Sequence, residues 1–317
     1  MKCHVCSAVG DFAVFDAKEQ MYGIGDVHRY FECGVCGCLQ IEHIPEDMAR
    51  YYGSAYYSFK PRPSGGVYRQ IVAMRNRYAV LRTGWLGHAL FQWQPTQLFD
   101  FLGLARGALT MESAILDVGC GSGALILAFR EAGFLNASGI DPFVPADIAL
   151  DGRPLVRRAS LDETAGQFDL IMFHHSLEHM ADQVHTLRLA RQRLKPGGHC
   201  IVRVPLASSE AWRRYGVDWV QLDAPRHFYL HTLDSMARLA QGAGFECLEV
   251  RFDSTAFQFW GSEQYRRGMA LTDSRSYAVD PAASVFSADE LARFDQEAAE
   301  LNARRQGDQA GFVLRCV

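Results

Sequence analysis

The stretch Asp117-Val118-Gly119-Cys120-Gly121-Ser122-Gly123 follows the apolar run Ala114-Ile115-Leu116 and precedes the helix-forming segment ALILAFREAG. Three glycines placed this closely mark a strand that turns sharply into a helix beside a ligand, because a Cβ atom there blocks close approach and disfavours positive φ. The loop predicts a cofactor cradle. Its G-x-G-x-G spacing is one residue tighter than the G-x-G-x-x-G that holds a dinucleotide pyrophosphate. Asp117, at the end of the first strand, repels a pyrophosphate and suits a ligand carrying a positive amine or sulfonium. Asp141, in Gly139-Ile140-Asp141-Pro142, ends the next strand, where a carboxylate accepts hydrogen bonds from ribose hydroxyls. A nucleoside bearing an amino acid satisfies both carboxylates.

Outward from the loop, short apolar runs alternate with helical patterns. AILDV, SGID, PLVRR, FDLIMF and HCIVRV are each followed by a helix or loop segment, the pattern of a parallel sheet with helices on both faces. The core is α/β. FECLEVRFD and the terminal AGFVLRCV predict two more strands that pair as a hairpin-like edge, separated by an insertion containing the helical SADELARFDQEAAELNARR. Such an open sheet binds ligands at the carboxyl ends of its strands, where the strand order reverses.

Ahead of the sheet, Cys3, Cys6, Cys33 and Cys36 form two C-x-x-C pairs, and the 26 residues between them are enough for a short hairpin that brings the pairs together. Four thiolates at this spacing predict a structural zinc ribbon with no open coordination position. Cys38 is a spare that could replace Cys36. Residues 51–59, YYGSAYYSF, hold five aromatic rings before the breaker PRPSGG. Tyr56 or Tyr57 could close over a sulfonium or stack on a substrate; packing between ribbon and core is the alternative. From Val67 to about Arg82, Val67, Ile71, Met74, Tyr78 and Leu81 recur at helical spacing. The arginines of this linking helix either face a phosphorylated substrate or form a solvated basic face.

The 317-residue chain is 49% hydrophobic and 21% charged, enough for a full core plus one small accessory unit. A net charge of −4 and a pI near 6.3 argue against an extended nucleic-acid surface. The N-terminus lacks a signal-peptide apolar core and no window supplies about 18 uninterrupted apolar residues. A cytoplasmic protein with reduced thiols is expected.

Together ILDVGCGSG, GIDP, FDLIMFHHSLEHM and LKPGG resemble the class I S-adenosylmethionine-dependent methyltransferases over about residues 100 to 253. The resemblance implies a Rossmann-like, mostly parallel sheet with an antiparallel C-terminal strand. It divides the chain into a ribbon (1–45), an aromatic segment with linking helices (46–100) and a catalytic unit (101–317) with insertions at about 206–231 and 254–310. It also implies that Gly119, Gly121 and Gly123 hold the methionine portion of the cofactor, with Asp117 near its amino group and Asp141 on the ribose. Ser160 and Leu161 fall beside the adenine, and His174 lines the same pocket. The ribbon, the Tyr-rich stretch and Asp223-Ala224-Pro225-Arg226-His227-Phe228-Tyr229-Leu230 resemble bacterial sugar and polysaccharide-biosynthesis methyltransferases, including zinc-containing nucleotide-sugar C-methyltransferases. In the latter a D-E-H-x-x-L-like segment carries the catalytic base, which matches His227. Arg226 stands where the glutamate would be, and the large C-terminal domain of those enzymes is missing. The expectation is therefore O-methylation of a sugar or nucleotide-sugar hydroxyl. Sugar C-methylation, rRNA methylation and a non-catalytic cofactor-binding partner are the alternatives.

His175-Ser176-Leu177-Glu178-His179 is formally H-x-x-E-H, an inverted zincin pattern in which a helix puts both histidines on one face. Directly after a buried parallel strand, it is read instead as Glu178 and His179 orienting pocket residues, with His179 the second choice for the base. Trp212 and Trp219 could wall a sugar site or belong to the core.

Overall fold

The computed structural model describes residues 1–53, 66–150 and 152–317. Tyr56 and Tyr57 lie outside the described residues. At the N-terminus, β1 (Ala13–Lys18) and β2 (Val27–Glu32) form an antiparallel hairpin, and β3 (Leu39–Ile41) pairs with β2. Helices α1 (Val67–Leu81) and α2 (Trp85–Trp93) follow as a hairpin. Gly87 sets how closely these two helices approach, since a Cβ there would sit 2.9 Å from the Met74 carbonyl oxygen and 2.8 Å from the Tyr78 Cβ.

The main sheet is built from β4 (Ile115–Val118), β5 (Ala137–Ile140), β6 (Ile148–Leu150), β7 (Arg153–Arg157), β8 (Phe168–His174) and β9 (Leu194–Pro205). Helix α3 (Ala124–Glu131) links β4 to β5 and α4 (Gln183–Arg193) links β8 to β9. After β9 come α5 (Glu210–Tyr215), β10 (Tyr229–Leu230), α6 (Leu233–Gly242), β11 (Phe245–Phe252), α7 (Phe257–Arg266), α8 (Ala288–Ala303) and β12 (Gln309–Cys316). Strand order is β11-β12-β9-β8-β4-β5-β7-β6. The pairs from β9 through β7 are parallel, while β12 runs antiparallel to both of its neighbours. This is the Rossmann-like sheet with an antiparallel C-terminal strand that the class I resemblance implies.

The predicted hairpin-like edge is present, with β11 and β12 paired antiparallel at one end of the sheet. Strand β12 is inserted between β9 and β11, so its apolar residues Phe312, Val313 and Leu314 are buried as an interior strand, and β11 is the edge. The connection carrying α7 and α8 supplies the length for that return. Strand β6, a short antiparallel addition at the other edge, had no clear alternation to betray it.

β10 joins the N-terminal hairpin rather than the main sheet, with Tyr229 opposite Gln40 and Leu230 opposite Leu39. Cys3, Tyr30 and Leu39 therefore share one core with Tyr215, Trp219 and Phe259. Trp219 is fully buried, and Trp212 packs its ring 6.2 Å from Trp219 and 5.2 Å from Phe15. Of the two readings for these tryptophans, the core is the one the packing supports.

Candidate active site

Strand order reverses beside β4, and the carboxyl ends of β4, β5 and β8 open there into a cleft of ≈ 380 Å³. Its size falls in the usual range for small-molecule sites. Val118, Gly119, Ile140, Asp141, His175 and Ser176 line it from the strand ends. Gly119 has φ +74°, and a Cβ on it would lie 2.5 Å from the Ser176 Cβ. Gly123, at φ +77°, caps α3, and its added Cβ would meet Val156 at 2.5 Å. These two positions tolerate only glycine. Gly121 turns the loop so that its N–H donates to Asp141 Oδ2 at 2.9 Å, while the Phe143 N–H donates to Oδ1 at 2.8 Å. Two backbone donors thus fix Asp141, and a carboxylate retains further lone pairs for a ligand.

Asp117 lies beneath the loop, 3% exposed, and its Oδ1 has no hydrogen-bond partner among the described residues. Burial first, and the nearby Asp141 charge second, push its carboxyl well above the usual range. A cationic group is the chemistry such a site lacks. Ser160, Leu161 and Asp162 line the far wall, although the Ser160 hydroxyl is already donated to Glu163 at 3.0 Å. His174 does not line the cleft. It packs against Phe101 at 4.8 Å, whereas His175, held at φ 54°, turns into the cleft in its place. A one-residue change in a strand reverses the face, so an assignment from sequence can slip by one.

A second group of side chains meets the cleft at His175 and His179, with His227 packed against His179. Leu177–His179 is a single 3-10 turn, so His175 and His179 are not presented on one helix face. His227 donates Nδ1–H to the Gln221 carbonyl at 2.7 Å, which leaves Nε2 as the acceptor, 4.0 Å from Glu178 Oε1 and 3.8 Å from Asp223 Oδ2. His179 likewise donates Nδ1–H to the Arg226 carbonyl at 2.8 Å, with its ring 4.7 Å from that of His227. Burial, then the His227 charge, lower His179 to about 4. It is neutral at pH 7. Glu178 is fully buried, with Oε1 3.2 Å from His175 Nδ1 and Oε2 unpartnered among the described residues. Glu178, His179 and His227 bring ligand-type atoms within 4.8 Å of one another.

The chain matches the model of a family described as a methyltransferase domain over residues 90–250, just over half its length. It belongs to this family. Among curated relatives, the ubiquinone biosynthesis O-methyltransferase of Pseudomonas aeruginosa (strain UCBPP-PA14) is 34% identical over 95 residues, covering 26% of this chain and 40% of the relative. The enzyme of the same description from Ralstonia nicotianae is 28% identical over 154 residues, covering 43% of this chain and 64% of the relative. The chain thus spans less than two thirds of either relative. An S-adenosylmethionine-dependent methyltransferase from Mesorhizobium loti aligns with 19% identity and a TM-score of 0.42, over 68% of this chain and 99% of its own.

Three features of this methyltransferase-domain chain were not foreseen from sequence. Tyr52 and Phe143 stack across the cleft mouth, with ring centroids 6.3 Å apart and planes at 8°. Asp223, which comes four residues before His227, supplies a carboxylate to the histidine cluster; the Arg226 guanidinium beside it outweighs the effect of burial and holds its carboxyl low. Arg226 itself is fully buried, donating to Glu19 at 2.9 Å and to the Tyr51 carbonyl at 3.0 Å as well as to Asp223. It ties the ribbon, the aromatic segment and the histidine wall together, which accounts for an arginine where the resembled segment has glutamate.

In the ribbon, Cys3 Sγ lies 3.7 Å from Cys36 Sγ and Cys6 Sγ lies 3.6 Å from Cys33 Sγ, and all four sulfurs fall within 4.8 Å of one another. A zinc tetrahedron with bonds of ~2.3 Å has edges of about 3.8 Å, so this donor set fits the ion. Gln40 Nε2 donates to Cys3 Sγ at 3.0 Å and so orients that sulfur. Cys38 is turned away, its Sγ 3.9 Å from His231 Nδ1, so Cys36 completes the set. Thr232, the N-cap of α6, also donates to the Cys36 carbonyl at 2.6 Å and docks the knuckle on the catalytic unit.

Proposed function

We propose that this chain is an S-adenosylmethionine-dependent methyltransferase that methylates a hydroxyl of a sugar, nucleotide-sugar or glycan intermediate, with zinc as a structural ion in its ribbon. The observation that carries the cofactor assignment is Asp117, a buried carboxylate whose Oδ1 has no hydrogen-bond partner among the described residues, directly before Val118 and Gly119 of the cleft wall that Asp141 also lines. Asp117 would face the amine, Gly119, Gly121 and Gly123 the methionine portion, Asp141 the ribose, and Ser160 and Leu161 the base. When bound, S-adenosylmethionine supplies a methyl group already activated by its sulfonium.

The chain's own task is then to position the acceptor and take its proton. His227 is the proposed base, because its Nδ1–H is committed to Gln221 and its Nε2 faces Glu178 and Asp223. Those carboxylates stabilise the imidazolium that forms when Nε2 receives the hydroxyl proton. His179, held neutral beside it, serves as a positioning residue. Oxygen as the acceptor atom agrees with the relatives, which are named O-methyltransferases. The sugar rests on the likeness of the ribbon and of residues 223–230. A ring hydroxyl is the second reading, favoured by the relatives' stated place in ubiquinone biosynthesis.

The test is methyl transfer followed by mass spectrometry, offering nucleotide sugars, phenolic compounds and RNA with S-adenosylmethionine. Methylated sugar oxygen is the expected product. Methylated phenol moves the acceptor to the second reading, and cofactor binding without transfer to any acceptor class overturns the catalytic role.

A further inference from the structure

Helix α2 has the sequence WLGHALFQW and buries only Gly87. At 100° per residue, Gly87 and Phe91 turn toward α1, where Phe91 packs 5.7 Å from Tyr78. The opposite face carries Trp85, Ala89 and Trp93 at i, i+4 and i+8, with Leu86 adjoining. Trp85 is 82% exposed and Trp93 77% exposed. An apolar stripe of this kind normally turns inward. Here it is exposed among the described residues, on the far side of the helix from α1.

The surrounding charge identifies what covers it. Residues 48–99 contain seven lysines and arginines and no acidic residue, while all 36 aspartates and glutamates lie elsewhere. Arg50 and Arg69 are paired with Asp26 and Glu131. Arg75, Arg77 and Arg82 have no carboxylate partner among the described residues, and Arg82, three residues ahead of Trp85, lies over the Phe91 ring at 4.8 Å on the α1-facing side of the helix. We propose that α2 is a membrane-surface helix, whose Trp85–Trp93 stripe enters the interface of a bilayer while the flanking arginines meet anionic headgroups.

Tryptophan suits that interface, and basic residues beside an apolar stripe are drawn to anionic lipid. A second copy fits less well. Two tryptophans and a leucine offer on the order of 500 Å² per face, so a symmetric pair would bury about 1,000 Å², below the roughly 1,200–2,000 Å² of stable complexes. Pairing would also bring two acid-free basic segments together. An RNA strand would satisfy the arginines yet leave no groove for both tryptophans on one convex helix face.

The test is flotation of the full chain with vesicles of phosphatidylcholine alone and of phosphatidylcholine mixed with phosphatidylglycerol, following tryptophan fluorescence in parallel. Binding to the mixed vesicles, a blue shift, and a loss of more than about tenfold in W85S/W93S are expected, with S-adenosylmethionine affinity unchanged. Both positions are exposed, so that variant keeps its fold, and the cofactor titration separates this proposal from the catalytic one. Equal flotation of the variant overturns the proposal. So does absence of vesicle binding, a dimer that W85S/W93S dissolves, or retention of RNA in place of vesicles.

Discussion

The glycine-loop wall of the cleft is made by residues close in sequence, Val118 and Gly119 with Asp141, whereas the histidine wall, which meets the cleft at His175 and His179, is backed by Glu178 after β8, Asp223 to His227 before β10, and Glu19 from the ribbon. The first is held by local hydrogen bonds within a strand–turn–helix. The second depends on a buried arginine that bridges three separate segments. A wall of the first kind is expected to survive damage elsewhere, and one of the second kind is expected to fail with any of its supports.

The largest effect should come from the ribbon. Zinc binding of this type contributes on the order of 10 kcal/mol to ordering its module. Metal analysis should find about one zinc per chain, lost in Cys3→Ser with Cys33→Ser. Because β10 pairs with β3 and Thr232 holds the Cys36 carbonyl, the loss should reach the histidine wall. Turnover should therefore collapse while S-adenosylmethionine affinity falls far less. Equal loss of both would erase the distinction between the walls.

Within the histidine wall, His227→Ala should lower turnover by roughly 10² to 10⁴, the usual worth of a positioned base, with cofactor affinity retained and partial recovery at high pH. His179→Ala should lose less. If instead His179→Ala is inactive and His227→Ala is nearly normal, the base belongs to the 3-10 turn after β8.

Asp117 gives a smaller and opposite signature. Its folded carboxyl is raised, so the stability it contributes is fully present below its ordinary value near 3.8 and is lost as pH rises through the folded value. Asp117→Asn should accordingly raise the melting temperature of the ligand-free protein at pH 7, by about 1–3 kcal/mol of stability, and weaken S-adenosylmethionine binding. A destabilised variant would show that the carboxylate already has a partner.

These walls also differ in how legible they were. The glycine loop, Asp141 and the two C-x-x-C pairs announce themselves because their geometry is set by neighbours a few residues apart. The parallel strands were equally plain, being short apolar runs buried on both faces. What sequence hid was long-range. Nothing local says that β12 slots between β9 and β11, or that Tyr229–Leu230 leaves the catalytic unit to join the ribbon sheet. Sequence points to His174 rather than His175 because strand alternation alone does not reveal the left-handed residue that follows β8. Asp223 and Arg226 looked like flanking residues until folding brought Glu19 beside them.

The central claim is that the cleft between β4, β5 and β8 holds S-adenosylmethionine, and titration calorimetry of the full chain tests it most directly. The native chain should bind S-adenosylmethionine and not NADH. Asp141→Ala, with unchanged circular dichroism, should bind it more weakly by about 1.5–3 kcal/mol, the cost of a charge-assisted hydrogen bond. A native chain that binds no S-adenosylmethionine, or a folded Asp141→Ala chain with unchanged affinity, would contradict the account.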